Sequence, residues 1–222
     1  MARAYCCTSI FLKFLLDRLD YMGQNGLMSN ATSQSESSAQ RRDLILSAAI
    51  TVFGKYGFRK VSVEDLAEAA RISKQGLYLY FKSKQEVFLA AIQRYLDEGL
   101  VLVQTELDKP ETPLLERLTG SMDAWFGRHL TTFSKDSLDV IETENALAAE
   151  EVSQYKTVFK AKLAKAISES PEYHKQKNAC TPNEISQVLL TCGLTWKEGD
   201  ASRPEFTKAM RLCIRACCQI HK

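Results

Sequence analysis

The chain has 222 residues, 45% hydrophobic and 25% charged, a globular composition that excludes a disordered or fibrous protein. Its most apolar stretch near the front, Ile10 to Leu16, contains Lys13 and is too short to cross a bilayer. The net charge of +2 excludes a uniformly basic or acidic chain, but it averages unlike parts.

Residues 1–40 are charge-neutral, and residues 41–84 carry nine basic against four acidic side chains, so residues 85–222 sum to −3. A short basic module therefore precedes a larger, mildly acidic one, an asymmetry that points to an anionic partner for the first. Seven cysteines (6, 7, 180, 192, 213, 217 and 218) form no C-x-x-C pair and share no zinc spacing with His129, His174 or His221. Neither a metal nor a cofactor is expected. An odd cysteine count suits a reducing cytoplasm, with the thiols acting as buried small hydrophobes. Redox sensing by Cys213, Cys217 and Cys218 is the alternative.

In chain order, residues 1–40 read as a flexible extension with one short helix at most. Lys13 breaks the apolar core that a signal peptide requires. The tract from Ser29 to Gln40 is dominated by Ser, Gln, Asn and Ala and lacks apolar area to offset its ordering entropy. Met22 and Met28 are alternative starts. From Arg41 the pattern changes. Leu44, Ile45, Ala48, Ala49, Val52, Phe53 and Tyr56 mark one face of an amphipathic helix, and Gly57 suits the position just past its end.

Ser62 and Asp65 resemble a capping box opening a second, brief helix with Leu66 and Ala67 inside. Ser73 caps a third helix running to about Tyr80 or Phe81, with Ile72 and Leu77 as a hydrophobic staple. Ser83 and Glu86 form another box. Two short helices joined by a tight turn in a basic stretch are a helix-turn-helix pattern. With Leu77 in the core, Lys74, Gln75, Gly76, Tyr78 and Tyr80 are left for the outside, where Gln75 suits an adenine edge and Lys74 a guanine or phosphate. The bland alternative is a three-helix bundle with a solvated basic face.

The segments Phe53-Gly54-Lys55-Tyr56-Gly57-Phe58, Val61 to Ala67, and Ile72 to Lys84 together resemble the TetR family of transcriptional regulators, over residues 41–92. The resemblance implies an all-α fold, with an N-terminal three-helix helix-turn-helix domain (41–84) followed by a helical ligand-binding and dimerisation domain (85–222). It also implies that Ser62, Lys74, Gln75, Gly76, Tyr78, Tyr80 and Lys84 meet operator DNA, with Tyr78 and Lys84 on phosphates. One departure is Arg71, which replaces the small residue usual at the turn. If that turn requires positive φ, arginine is strained there.

Beyond residue 84, helices are expected over Ser83 to Glu106, Thr112 to Leu130, Ser137 to Glu144, Ala148 to Ser168, Pro182 to Leu194 and Pro204 to His221. All five prolines fall near these boundaries. The last two helices carry enough apolar residues for a homodimer interface. Trp125, Phe126, His129, Phe133, Tyr155, Phe159 and Trp196 are candidates to line an effector cavity, or else to fill the core. No G-x-G-x-x-G, P-loop or H-x-x-x-H motif occurs. The expected function is a ligand-responsive regulator, most simply a repressor, binding a palindromic operator as a homodimer with no membrane partner and no enzymatic activity. The alternative is a helical ligand-binding or interaction protein without DNA binding.

Overall fold

Hydroxyl side chains decide where half of the described helices begin. The computed structural model describes residues 31–133, 140, 143, 146–174, 180–197 and 202–219. The expected short helix near Ser137 to Glu144, residues 1–30, Cys6, Cys7 and His221 lie wholly or largely outside them. The described residues contain helices and no strand. They are α1 (Ala31–Tyr56), α2 (Val63–Ala69), α3 (Lys74–Tyr78), α4 (Lys84–Leu107), α5 (Leu114–Met122), α6 (His129–Thr132), α7 (Ala149–Ser168), α8 (Pro171–His174), α9 (Pro182–Lys197) and α10 (Arg203–Cys218), with a π-helical turn at Asp123–Gly127.

At α2, the Ser62 hydroxyl accepts from the Asp65 amide (3.1 Å), while the Asp65 carboxylate accepts from the Ser62 amide (2.7 Å). Thr181 and Glu184 repeat the exchange at α9, and Ser202 and Glu205 at α10. Pro182 opens α9, whereas Pro204 lies one residue inside α10. At α4 the box is displaced: Ser83 accepts from the Glu86 amide, but the Glu86 carboxylate takes the amide of Lys82. Pro113 gives α5 no capping side chain, and Glu172 of α8 supplies the missing acceptor to the Leu114 amide at 3.0 Å.

These hydrogen bonds hold Asp65, Glu184 and Glu205 below the usual carboxylate pKa range. The Ser62 hydroxyl is the leading cause at Asp65, the Thr181 amide at Glu184, and the Ser202 hydroxyl at Glu205. Carboxylates lowered in the folded state stabilise it fully above their ordinary values near 4, and that contribution is lost as pH falls through the lowered values. The melting temperature followed by circular dichroism should therefore hold from pH 7 to 5 and drop below about pH 4. An S62A/S202A variant should lose part of that drop; an unchanged acid limb would remove the boxes as its source.

Residues Asp43–Lys222 form one compact unit. Its core runs without interruption from Ile45 on α1 to Cys218 on α10. α4 packs on α5 and α7, α7 on α9, and α10 on α5 and α9. On α10, Phe206, Met210, Ile214 and Cys218 recur every fourth residue and are all buried. Burial pushes the Cys218 thiol up to about 12 and raises Cys213 and Cys217 as well. Protonated thiols are poor nucleophiles, and Cys218 packs fully buried in the core.

Candidate functional site

The basic module places two short helices across a tight turn. α2 ends in a Schellman motif. The Ile72 amide donates to the Ala67 carbonyl and the Arg71 amide to the Glu68 carbonyl, both at 2.9 Å. That geometry requires a left-handed residue at position 71, and Arg71 adopts φ of 55°. Arginine thus occupies a conformation that favours glycine, at a cost of about 1 kcal/mol, and it keeps an exposed cation at the turn. Gly57 closes α1 with φ of 84° and a 2.9 Å bond to the Phe53 carbonyl, where a glycine is at ease.

Ser73 then caps α3, its hydroxyl accepting from the Gly76 amide at 3.0 Å. Leu77 points into the core and is fully buried. The opposite side of α3 exposes Lys74, Gln75 and Tyr78, while Gly76 and Tyr80 are half-buried. The helix stops at Tyr78, two residues short of the expected end. Five of the seven expected contact residues thus lie on α3 or just beyond it. Ser62 and Lys84 sit at the starts of α2 and α4.

Both ammonium groups among these have internal partners. The Lys84 ammonium donates to the carbonyls of Phe58 and Val61, both at 3.0 Å, and lies 4.3 Å from the centre of the Phe58 ring. Two of its three N–H groups therefore hold the α1–α2 loop. The Lys74 ammonium pairs with Glu64 across the two helices. That bond raises the Lys74 pKa and lowers that of Glu64. Glu64 escaped the sequence reading because no local rule links residues ten apart. Leu79 escaped it too: at 84% exposure it is the most exposed large hydrophobic side chain described, and it adjoins the α3 surface. An apolar side chain there suits a thymine methyl.

The aromatic candidates of the larger module fall into two groups. Trp125 stacks on Phe159, with ring centres 4.9 Å apart and planes 11° from parallel. Phe126 meets Phe159 edge-on at 5.7 Å, and all three side chains are buried. His129 and Phe133 instead gather around Tyr95, at 5.0 and 5.3 Å. Beside Tyr95 and Phe133 lies an apolar cavity of about 10 Å³, bounded by Phe53 and Ile50 of α1 and Phe88 of α4. Tyr155 stands apart, donating to Asp97 at 2.6 Å, and its pKa is raised mainly by burial. Trp196 is half-buried on α9.

The π-helical turn carries Trp125 and Phe126 of the first group and precedes His129 and Phe133 of the second. Its first residue, Asp123, is held by both Nε (2.9 Å) and Nη2 (2.6 Å) of Arg203 on α10. Arg128 follows the turn, and Thr132 ends α6 against α1. The Thr132 carbonyl lies where a side chain on Gly54 would be, 2.5 Å from an ideal Cβ.

Residues 45–91 match the family model described as bacterial regulatory proteins, tetR family. The chain is 38% identical over 88 residues to the HTH-type transcriptional repressor KstR2 of Mycolicibacterium smegmatis, covering 40% of this chain and 42% of that protein. It is 34% identical over 87 residues to the HTH-type transcriptional activator FasR of the same organism, covering 39% of each. The chain thus spans less than half the length of these curated relatives. Among solved structures, the TetR family transcriptional regulator PfmR from Thermus thermophilus shares the fold. It has a TM-score of 0.57 and 21% identity, with 77% of this chain and 97% of that one covered. The capped helix pair, the family match over that pair and the shared all-α fold agree: residues 45–91 carry the DNA-binding module of the TetR family of transcriptional regulators.

Proposed function

We propose that this chain is a ligand-responsive transcriptional repressor that binds a palindromic operator as a homodimer, with residues 41–84 as its DNA-binding domain and 85–222 as its effector and dimerisation domain. The observation that carries the reading is the α3 surface, where Lys74, Gln75 and Tyr78 are exposed on a five-residue helix fixed by Ser73 and Leu77. Gln75 faces outward as a reader of an adenine edge. Ser62, Gly76, Tyr78, Tyr80 and Lys84 position the helix on the phosphates, Lys84 through its remaining N–H. Repression needs only a dimer seated on the operator, without contact to polymerase.

Dimerisation runs through α9 and α10. Opposite its buried stripe, α10 exposes Leu212 (58%), and α9 exposes Val188 (45%). The half-buried Cys192, Cys213 and Cys217 lie on the same two helices. Among the described residues no helix is long and apolar enough to cross a membrane. A DNA partner supports a cytoplasmic location.

Fluorescence anisotropy on operator fragments selected from genomic DNA, with sedimentation of the free protein, tests the reading. The wild type should sediment as a dimer and bind a two-fold symmetric site. Gln75→Ala should change base preference at one position per half-site by about 1–3 kcal/mol. Lys84→Ala should lower the slope of log K against log[salt] by about 1 per site contacted. It should also lower the melting temperature, since two carbonyls lose their donor. Absence of DNA binding at low salt would leave the alternative of a helical ligand-binding or interaction protein.

A further inference from the structure

Arg128 differs from Arg94, Arg203 and Arg211. Arg203 meets Asp123, Arg211 meets Glu116, and Arg94 meets Asp43 and Glu98. Among the described residues no carboxylate lies within ion-pair distance of Arg128. Its Nη2 donates to the Tyr95 carbonyl, and its guanidinium carbon lies 3.5 Å from the centre of the Tyr95 ring. Its Nε is sealed from solvent and has no hydrogen-bond partner. Gly99 on α4 packs beside it: a Cβ there would sit 3.1 Å from the Trp125 ring and 3.4 Å from the guanidinium carbon. The nearest acidic influence is Glu98, which is engaged with Arg94 at 2.9 Å.

A half-buried cation with an unused donor is costly unless something anionic completes it. The unused Nε belongs to the same Nε–Nη2 edge with which Arg203 grips Asp123 in two parallel bonds. The neighbourhood is otherwise built of planar rings, those of Tyr95, His129 and Phe133. We propose that Arg128 anchors the carboxylate of a small aromatic-acid effector, whose ring packs among Tyr95, His129 and Phe133.

This assignment rests on the effector-responsive reading above and gives its effector a chemical class. The adjoining cavity, at about 10 Å³, has room for about one water, so the effector must widen it. Widening displaces Phe133, and with it the preceding Thr132 carbonyl that abuts Gly54 of α1. Effector entry is thereby tied to the helix that supports the DNA-binding pair.

The test uses the full chain with three aromatic acids (benzoate, phenylacetate and 3-phenylpropanoate), their neutral amides, and inorganic phosphate. Thermal shift and titration calorimetry report binding, and anisotropy of an operator complex reports release. At least one acid should bind ten or more times tighter than its amide. Arg128→Gln should remove that preference, and Arg128→Lys should keep part of it, provided each variant melts cooperatively. Equal binding of acid and amide, a preference that survives in Arg128→Gln, or phosphate binding as well as the acids would overturn the proposal. An acid that binds through Arg128 yet leaves the DNA complex intact supports the site and counts against the effector-responsive reading. Release of DNA only by ligands indifferent to Arg128 does the reverse.

Discussion

Phe159→Ala will destabilise the protein by about 3–5 kcal/mol, the largest loss expected from any single truncation among the seven aromatic candidates. The ring is fully buried, stacked face to face on Trp125 and met edge-on by Phe126. Truncation removes the transfer free energy of the ring, leaves a cavity that helix-borne neighbours cannot collapse, and breaks two aromatic contacts. Chemical denaturation should lower the midpoint with an unchanged slope. A residue lining an open effector cavity would behave otherwise, since its removal would enlarge space already there. A loss below about 1 kcal/mol would place Phe159 on such a wall. The same experiment on Trp196, half-buried on α9, should cost less.

Gly54→Ala should also destabilise, although by helix propensity alone alanine would be worth about 1 kcal/mol more than glycine here. The new Cβ would fall 2.5 Å from the Thr132 carbonyl oxygen, a backbone atom that cannot rotate away. Either α1 or the end of α6 must move, and overpacking of this kind costs about 1–3 kcal/mol. The net result is a lower melting temperature and a shift in operator affinity, because α1 carries the core residues beneath α2 and α3. Thr132→Ala should not rescue the variant, since the clash is with main chain. A stability gain in Gly54→Ala would mean that the two helices part freely.

Much of this architecture can be read locally. Ser62, Ser73, Thr181 and Ser202 announce helix starts within four residues, and such rules depend on the main chain next to them. Gly57 and Arg71 are legible for the same reason, since a turn constrains φ at one position. The features that escaped the reading are tertiary. The Lys84 ammonium looked free because the carbonyls it satisfies lie 23 and 26 residues earlier. Lys74 looked unpaired because Glu64 approaches from another helix. α1 reaches back to Ala31, through a tract whose polar composition reads as loop. α8 is only four residues long, too short to set a periodicity. The aromatics of α5 to α7 could be recognised as apolar, but only the packing separates Trp125, Phe126 and Phe159 from the group around Tyr95.

The helix expected over Thr112 to Leu130 also concealed its irregularity. α5, the turn at Asp123–Gly127 and α6 follow one another with right-handed dihedrals at Met122, Asp123 and Arg128, yet the Arg128 amide reaches back five residues to Asp123 rather than four. The widened turn inserts one extra residue, which offsets the angular phase of everything after it by about 100°. Side chains before and after the insertion therefore obey two different helical wheels. Leu118 and Met122 face the central packing on one, and Arg128 and His129 turn toward Tyr95 on the other. No exchange of one side chain for another resets that phase. Only a change of chain length within the turn does so: the phase outlasts any substitution and is lost on insertion or deletion.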